Sequence, residues 1–214
     1  MSNEQHQQNE AMKSISNYKD MAIASLQDKW MDAAIVSLIY FVIYDGISFA
    51  VSSFMTQETG FIFQLVWLLA CAPLTWGFGV MFLDFIRGGE LKVGKLFDGY
   101  KDSLRLSLAF FLYLLVVLVG VIFFIVPGII FIIMFAQLPY ILRDDENISA
   151  IDAMKKSAKM MSGHKMNLFL LLLSFIGWAL LCILTLGIGY LFLMPYMQTT
   201  MAHYYEDLKQ ESSI

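Results

Sequence analysis

The chain alternates between long runs of apolar residues and short polar segments. The apolar runs cover approximately residues 30–54, 61–86, 106–142 and 166–205. A helix needs about 20 apolar residues to cross a membrane, because the hydrocarbon core is about 30 Å thick and each helical residue advances about 1.5 Å. The first two runs therefore predict one crossing each, whereas each of the last two is long enough for a pair.

Turn signals divide each of the two longer runs. The sequence VPG at residues 126–128 interrupts the third run, where proline removes a backbone donor and glycine permits a turn, and TLGIG at residues 185–189 interrupts the fourth. The pattern predicts six spans, at about residues 30–54, 61–86, 106–126, 128–142, 166–186 and 189–205. The fourth is short, since residues 129–142 extend only about 21 Å as a helix. Either its turn lies below the outer surface or the bilayer thins there.

The basic residues test this topology independently. All 14 lysine and arginine residues lie outside the six predicted spans. With six spans they fall on one face, which the positive-inside rule makes cytoplasmic, with both termini inside the cell. The alternative is a single span across the third run, which would place Arg105 and Arg143 on opposite faces. The localisation expected is the inner membrane of a bacterial cell, crossed several times.

A polar segment with helical spacing of its apolar residues precedes each predicted pair of spans. The three stripes are Ile15, Tyr18, Ala22 and Leu26, then Leu96, Tyr100 and Leu104, then Ile151, Met154, Ala158 and Met161. Beside the third stripe stand Lys155, Lys156 and Lys159, which suits a helix lying on an anionic leaflet. The fold class predicted is an all-α integral membrane protein with six transmembrane helices as three hairpins, each preceded by a cytoplasmic amphipathic helix. Short helices are also how loops of this length commonly fold, so the threefold repeat is one of two interpretations.

Composition supports a single membrane domain. The chain is 58% hydrophobic and its mean hydropathy is +0.65, above what soluble domains show. We expect one domain over residues 12–208, a disordered polar tail over residues 1–11 and a short tail over residues 209–214. No cleavable signal peptide is expected, because residues 1–11 contain no basic segment leading into an apolar core. Cys71 and Cys182 lie within apolar runs and are expected to be buried free thiols.

One carboxylate interrupts the first predicted span. Asp45 lies about 22 Å from the cytoplasmic end of that span, and Ser48, Ser52 and Gln64 are expected at similar depth or further outward. A carboxylate inside a membrane is costly, which makes this group a candidate site for a solute or a proton. The alternative, which we favour, is a hydrogen bond across a close helix contact, because Gly46 and other small residues here let membrane helices approach.

A second set of polar residues is predicted in the cytoplasmic half of the bundle. Its members are Asn167, Ser174, Gln198, Thr199 and His203, with Gln137 as a further candidate. Hydrogen bonding between helices accounts for such a group, and a hydrophilic cavity is the alternative. Asp84 lies near the cytoplasmic boundary within reach of Arg87, and we expect it to be solvated.

Several stretches of the chain resemble an uncharacterised bacterial integral membrane family, domain of unknown function 975. They are RGGE (87–90), LFDGYKD (96–102), PGI (127–129), SAKMMSGHKMNLFLLLLSFIGW (157–178), LTLGIG (184–189) and MPYMQTTMAHYYEDL (194–208). The resemblance covers about residues 15–208 and implies a bacterial inner-membrane protein with several spans and no established reaction. A more distant likeness is to the membrane domain of glycerophosphodiester phosphodiesterases, whose catalytic domain has no counterpart here.

No sequence motif in this chain specifies a reaction. It contains no H-E-x-x-H, no G-x-S-x-G and no cysteine–histidine cluster at metal spacing, so we expect no catalytic residue, metal or cofactor. The favoured function is a non-enzymatic accessory or scaffold protein in envelope homeostasis. A transporter or carrier of a small solute or lipid is the alternative, and a lipid-modifying enzyme is a third class. The partners expected are the lipid bilayer, its anionic headgroups on the cytoplasmic face and a membrane protein; no nucleic acid is expected.

Overall fold

The computed structural model describes residues 13–123 and 125–212, and its regular elements there are all helical. In chain order the α-helices are α1 (Ile15–Leu26), α2 (Trp30–Phe41), α3 (Ile47–Ser52), α4 (Gln57–Ala70), α5 (Ala72–Ile86), α6 (Ser103–Phe123), α7 (Ile125–Met134), α8 (Leu138–Asp144), α9 (Ala150–Met160), α10 (Lys165–Leu173), α11 (Ile176–Leu184) and α12 (Tyr190–Ser212). A π-helical turn (Val42–Gly46) joins α2 to α3, and a 3-10 helix (Val93–Asp102) precedes α6. The tail predicted to be disordered, residues 1–11, lies outside the described residues.

Four helical stretches of the described chain are long and apolar enough to cross a membrane. They are Trp30–Ser52, Val93–Val121, Val126–Asp144 and Lys165–Leu184. The pair formed by α4 and α5, which is bent by 40°, raises the number to five if it counts as one span. The sixth predicted span falls within α12, which is not among these candidates. The structure therefore supports four or five spans by length and composition, where the sequence predicts six.

The helix α12 lies among the other helices, which accounts for its lower apolarity. It packs against α1, α2 and α5, and its residues Ala202, Tyr204, Tyr205 and Leu208 are almost completely buried. A helix surrounded by protein tolerates polar side chains that a helix facing lipid does not, because neighbouring helices supply hydrogen-bond partners. Apolarity alone therefore identifies a membrane-spanning helix least well when that helix lies at the centre of a bundle.

Two of the apolar stretches are broken in the same way. Cys71 has φ −91° and ψ 0°, Gln137 has φ −88° and ψ −4°, and each is followed by a helix with proline at its second position. Proline cannot donate a backbone hydrogen bond, so Pro73 leaves the Leu69 carbonyl without its helical partner. The Ser107 hydroxyl donates to that carbonyl at 3.2 Å. The span predicted to be continuous over residues 61–86 is thus interrupted at its centre.

Residues 126–128, which the sequence predicts as a turn, are helical in the structure. The helix α6 ends at Phe123 and α7 begins at Ile125, so that Pro127 and Gly128 belong to the first turn of α7. Proline is tolerated there because backbone N–H groups in the first turn have no helical partner. Gly128 instead permits close packing, since a β-carbon at this position would collide with the Val121 side chain of α6.

The turn predicted at residues 185–189 is confirmed. Leu186 and Gly187 adopt left-handed φ values of 52° and 89°. The Gly187 N–H donates to the Cys182 carbonyl at 2.9 Å, and the Leu186 N–H donates to the Ile183 carbonyl at 3.1 Å. These two bonds form the Schellman motif, which satisfies the last carbonyls of α11 and reverses the chain before α12.

The three segments predicted as amphipathic helices differ in structure. The first, α1, buries Tyr18, Ala22 and Leu26 of its predicted stripe. The second is a 3-10 helix rather than an α-helix, and its backbone at Gly99 lies too close to α5 for a β-carbon. In the third, α9, Met154 is buried but Ile151 is 56% exposed, so the predicted stripe is only partly correct. The buried side of α9 covers protein rather than lipid.

Candidate functional site

Charged residues collect where α5, α8 and α12 end. We call this region the charged end, and its members are Asp84, Arg87, Lys95, Arg143, Asp144, Glu206 and Lys209. The residue Arg87 follows the last turn of α5, Asp144 is the last residue of α8, and Glu206 lies near the end of α12. The apolar parts of these helices pack together, so their polar termini meet at one end of the bundle.

Asp144 is the central acceptor of the charged end. Its carboxylate receives two hydrogen bonds from the Arg87 guanidinium, at 2.6 and 3.0 Å, one from the Tyr205 hydroxyl at 2.8 Å and one from Lys209 Nζ at 2.6 Å. Its side chain is only 13% exposed. Charge-assisted bonds with a bidentate arginine are stronger and more directional than neutral ones. Asp144 therefore joins the ends of three helices through one carboxylate.

Arg87 extends the network to a second acid. Its Nε donates to the Glu206 carboxylate at 2.6 Å while its two Nη atoms hold Asp144. The guanidinium is thus shared between α8 and α12, and all three of its nitrogens are engaged. Its planar arrangement of donors suits this double contact, which a lysine at the same position could not reproduce.

Asp84 has partners that differ from those expected. It accepts from Arg143 Nε and Nη2, both at 3.2 Å, and Lys95 Nζ lies 3.7 Å away. The sequence predicts a solvated Asp84 near Arg87, but this residue pairs with Arg143 instead, and its side chain is 19% exposed. Arg87 is three residues away along the chain, but its guanidinium turns toward Asp144, which offers a bidentate contact. Asp84 is left to link α5 to α8 through Arg143.

Arg105 at the start of α6 holds the end of α8. It donates to the carbonyls of Leu142 and Asp145, at 3.1 and 3.0 Å, and to the Asp102 carboxylate at 2.5 Å. The last carbonyls of a helix have no helical partner, and a cation there also interacts favourably with the helix dipole. Arg105 therefore fixes the position of α8 relative to α6.

A cavity of about 460 Å³ lies beside these groups. Its walls come from α5, the 3-10 helix, the first turns of α6 and the segment that follows α8. Asp84, Lys95, Arg105 and Arg143 all line it. The charged end thus combines a rigid ion-pair network with a polar hollow.

A separate ion pair attaches the N-terminal segment to α12. Lys13 Nζ and the Tyr18 hydroxyl each donate to the Asp207 carboxylate at 2.7 Å. Burial alone would raise the pKa of Asp207, but the hydrogen bonds from Lys13 and Tyr18 outweigh it and hold that pKa below its ordinary value. Burial, together with the bond to Asp207, raises the pKa of Tyr18, so this hydroxyl remains a donor. The pair holds α1 against the bundle.

Replacing Asp207 with asparagine should reveal this attachment as a pH-dependent loss of stability. Because the folded-state pKa is depressed, the carboxylate stabilises the fold above its unfolded pKa of about 3.9, and this stabilisation is lost as pH falls through the folded value. At pH 7 we expect the variant to lose about 2 kcal/mol, the range for hydrogen bonds to a charged group. Unfolding in mixed detergent micelles at several pH values measures the difference, which should vanish in strong acid. The exposed Asp98→Asn is the control, and an equal, pH-independent loss in both variants would contradict the assignment.

The residues predicted near Asp45 are only partly brought together. Ser48 and Gln64 are hydrogen-bonded to each other, with Gln64 Nε2 lying 3.1 Å from Ser48 Oγ, whereas Ser52 donates to the Phe49 carbonyl of its own helix. Asp45 is exposed in the π-helical turn, and the described residues offer it no hydrogen bond or ion pair. The neighbouring Tyr44 carbonyl accepts from the Trp67 indole at 3.1 Å, which ties the π-helical turn to α4.

The second predicted polar group is dispersed over several environments. Thr199 is buried and donates to the Pro195 carbonyl of its own helix at 2.8 Å. His203 pairs with Ser25 of α1 at 2.9 Å, and Ser174 donates to the Leu171 carbonyl at 2.6 Å. Three further members are exposed Asn167, half-buried Gln198 beside Gly79, and Gln137, which is fully buried with Oε1 unbonded among the described atoms. The hydroxyl groups thus serve their own helices, and His203 holds α1 to α12.

The lysines predicted for the membrane surface are exposed on α9. Lys155 lies 3.3 Å from Asp152, and Lys156 and Lys159 line a surface hollow next to His164. The opposite side of α9 packs on the bundle, where the Ser157 hydroxyl donates to the Met134 carbonyl at 2.9 Å. One side of α9 is therefore packed on the rest of the bundle, and its lysines extend from the opposite side.

Sequence reasoning missed the central residues of the charged end. Asp144 and Arg87 look like ordinary boundary charges in the sequence, since many such residues flank each apolar run. A partial signal exists in α12, where Tyr205 and Lys209 are four residues apart and therefore share a helix face. Nothing in the sequence indicates that this face meets Asp144.

The described residues include no arrangement of three or more histidine, cysteine, aspartate or glutamate side chains that could hold a metal ion. Cys71 and Cys182 are free and buried, as expected. The fold, with four or five helices long and apolar enough to cross a membrane among the described residues, fits a helical membrane protein.

Comparison with known families makes this class more specific. A family model described as protein of unknown function (DUF975) matches residues 98–212, more than half of the chain. The chain therefore belongs to the DUF975 family, which confirms the resemblance drawn from the sequence. The match starts at Asp98, so the stretch RGGE and residue Arg87 lie outside it. No curated protein and no solved structure matches the chain.

Proposed function

We propose that this protein is a non-enzymatic accessory or scaffold protein of a bacterial inner membrane, acting in envelope homeostasis by presenting α9 to a membrane protein partner. The observation that carries the proposal is the Asp144 network, which joins α5, α8 and α12 through bonds of 2.6 to 3.0 Å. Such a network suits a surface that keeps its shape when a partner binds. Beside it, α9 is fixed on one side and exposes Ile151 and three lysines on the other.

We infer further that the chain crosses the membrane six times, as three hairpins, with the charged end and both termini in the cytoplasm. The first part of α12 supplies the sixth span in this arrangement. The positive-inside rule supports the orientation, because all 14 lysines and arginines lie outside the six spans, in segments that this topology places on one face. A membrane-impermeant thiol reagent, applied to a variant lacking Cys71 and Cys182, should label Glu58→Cys in intact cells and Lys156→Cys only after permeabilisation. The opposite labelling pattern would reject this orientation.

Site-specific photocrosslinking tests the accessory role. A photoreactive amino acid at Ile151, which is 56% exposed on α9, should give one discrete protein adduct in living cells. Reversing two charges on the same face, with Lys156→Glu and Lys159→Glu, should abolish that adduct, because a partner held by these lysines would then be repelled. The adduct is identified by mass spectrometry.

The matched control reverses a charge that lies outside both α9 and the charged end. Lys92 is exposed and paired only with its neighbour Glu90 among the described residues, so Lys92→Glu should leave the adduct at Ile151 unchanged. Adducts with lipid alone under several growth conditions would count against a protein partner. Loss of the adduct in every variant, including the control, would show that the signal reports folding rather than docking.

A further inference from the structure

An apolar crevice lies next to the cavity at the charged end. A second hollow of about 90 Å³ adjoins the cavity and extends toward Ala109 and Phe110, deeper along α6. Three residues, Trp76, Leu106 and Leu142, line both the cavity and the crevice. The two hollows therefore lie side by side, a charged mouth and an apolar crevice, with these three side chains as their common wall.

The wall between the two parts is held in place. The Trp76 indole donates to the Pro139 carbonyl at 2.9 Å, which links α5 to α8 across the crevice. Tryptophan with one polar and one apolar edge is characteristic of the level where headgroups meet acyl chains.

The charged mouth is neutral overall. Its basic residues are Lys95, Lys101, Arg105 and Arg143. Its acidic residues are Asp84, Asp98, Asp102 and Glu146. A lining with equal numbers of both signs disfavours a ligand of one net charge and suits a ligand that carries both.

Two of these charges are held more loosely than the others. Lys95 Nζ lies 3.7 Å from Asp84, and Glu146 lies 3.9 Å from Arg143. By contrast, Lys101 lies 2.7 Å from Asp98, and Arg105 is engaged with Asp102 and with the end of α8. One cation and one anion of the mouth are thus free to exchange their distant partners for a ligand.

We propose that this space binds one amphiphile with a zwitterionic headgroup, whose phosphate contacts Lys95 and whose ammonium contacts Glu146, while the start of an acyl chain enters the crevice. The site goes beyond the accessory role, and it lies on α5, the 3-10 helix, α6 and α8 rather than on the exposed side of α9. A phospholipid with an ethanolamine headgroup has this combination of charges. An anionic phospholipid would place its phosphate beside the same four acids without an ammonium to compensate.

Native mass spectrometry of the full chain in detergent tests the proposal. The probes are dihexanoyl phosphatidylethanolamine and dihexanoyl phosphatidylglycerol, which share their acyl chains and differ in headgroup charge. We expect a one-to-one complex with the ethanolamine lipid, about tenfold tighter than with the glycerol lipid, as loss of one charge-assisted contact would give. Glycerophosphoethanolamine, which has no acyl chains, should bind more weakly than the lipid.

Conservative variants assign the two contacts. Lys95→Gln should weaken binding of the ethanolamine lipid about tenfold. Glu146→Gln should weaken binding of that lipid to a similar extent, while binding of the glycerol lipid stays the same or becomes tighter. Lys92→Gln, which changes an exposed lysine that does not line the cavity, is the control and should change binding of neither lipid. Equal binding of the two lipids, unchanged binding in both cavity variants, or tight binding of the headgroup alone would each overturn the proposal. The photocrosslink from Ile151 is unaffected by any of these outcomes, so the two proposals fail separately.

Discussion

Replacing Asp144 with alanine is expected to lower the free energy of unfolding by about 3 kcal/mol, the low end of what removing one partner from a largely buried ion pair costs. The loss exceeds that of a surface pair because three donors converge on this carboxylate. Without it, Arg87 and Lys209 keep their charges around a position where the carboxylate is only 13% exposed, and the Tyr205 hydroxyl loses its acceptor. The variant removes the counter-charge that these two cations share, and Arg87 keeps only its second acid, Glu206, among the ion pairs described at the charged end.

The unfolding of Asp144→Ala is measured by circular dichroism in mixed micelles with increasing dodecyl sulfate. The matched control is Asp98→Ala, which removes an aspartate of the 3-10 helix whose partner Lys101 is largely exposed. Exposed pairs contribute less than about 1 kcal/mol, so the control should stay close to wild type. Equal losses in the two variants would show that Asp144 is no more than a surface charge.

The sequence predicts the apolar architecture well because that signal is local. The apolar runs and the turn at residues 185–189 follow from length, apolarity and glycine, which neighbouring residues determine. The stripe on α1 follows from helical spacing alone, and Tyr18, Ala22 and Leu26 are buried as it predicts. The broken helices leave a weaker trace, since a proline marks each break but does not show whether a helix bends or ends.

The charged end could not be predicted, because its pairs are tertiary. Asp84 has Arg87 three residues away along the chain, yet it binds Arg143 of another helix. Which pairing forms depends on where the ends of α5, α8 and α12 meet, and that follows from the packing of their apolar parts. The same limitation applies to Asp45. Its position within an apolar run indicates that placing its carboxylate in the membrane costs free energy, but it does not indicate which residue the carboxylate binds. The positions of charged residues in the sequence therefore predict the side of the membrane on which a segment lies more readily than they predict which residues form ion pairs.

Replacing Gly77 with alanine is the second variant expected to have a large effect. Gly77 on α5 lies directly beneath the backbone of the 3-10 helix, where a β-carbon would lie 2.9 Å from the Leu96 carbonyl carbon and 3.2 Å from the Lys95 oxygen. Backbone atoms cannot turn aside as a flexible side chain can, so the added methyl group must push the two elements apart. We expect the free energy of unfolding to fall by about 3 kcal/mol, the upper part of the range for overpacking.

Two glycines of the 3-10 helix, Gly99 and Gly94, provide a second test and a control for this prediction. Gly99 makes the same kind of approach one helical turn earlier along α5, where a β-carbon would collide with the Pro73 carbonyl, so Gly99→Ala should be similarly destabilising. Gly94 lies in the same 3-10 helix with open space around it, so Gly94→Ala should be neutral or stabilising by up to about 1 kcal/mol. Wild-type stability in Gly77→Ala would show that the 3-10 helix does not press on α5. Lys95 and Gly99 line the cavity, so separation of α5 from the 3-10 helix should also weaken binding of the ethanolamine lipid. The shape of the proposed site thus depends on the close approach of these two backbones.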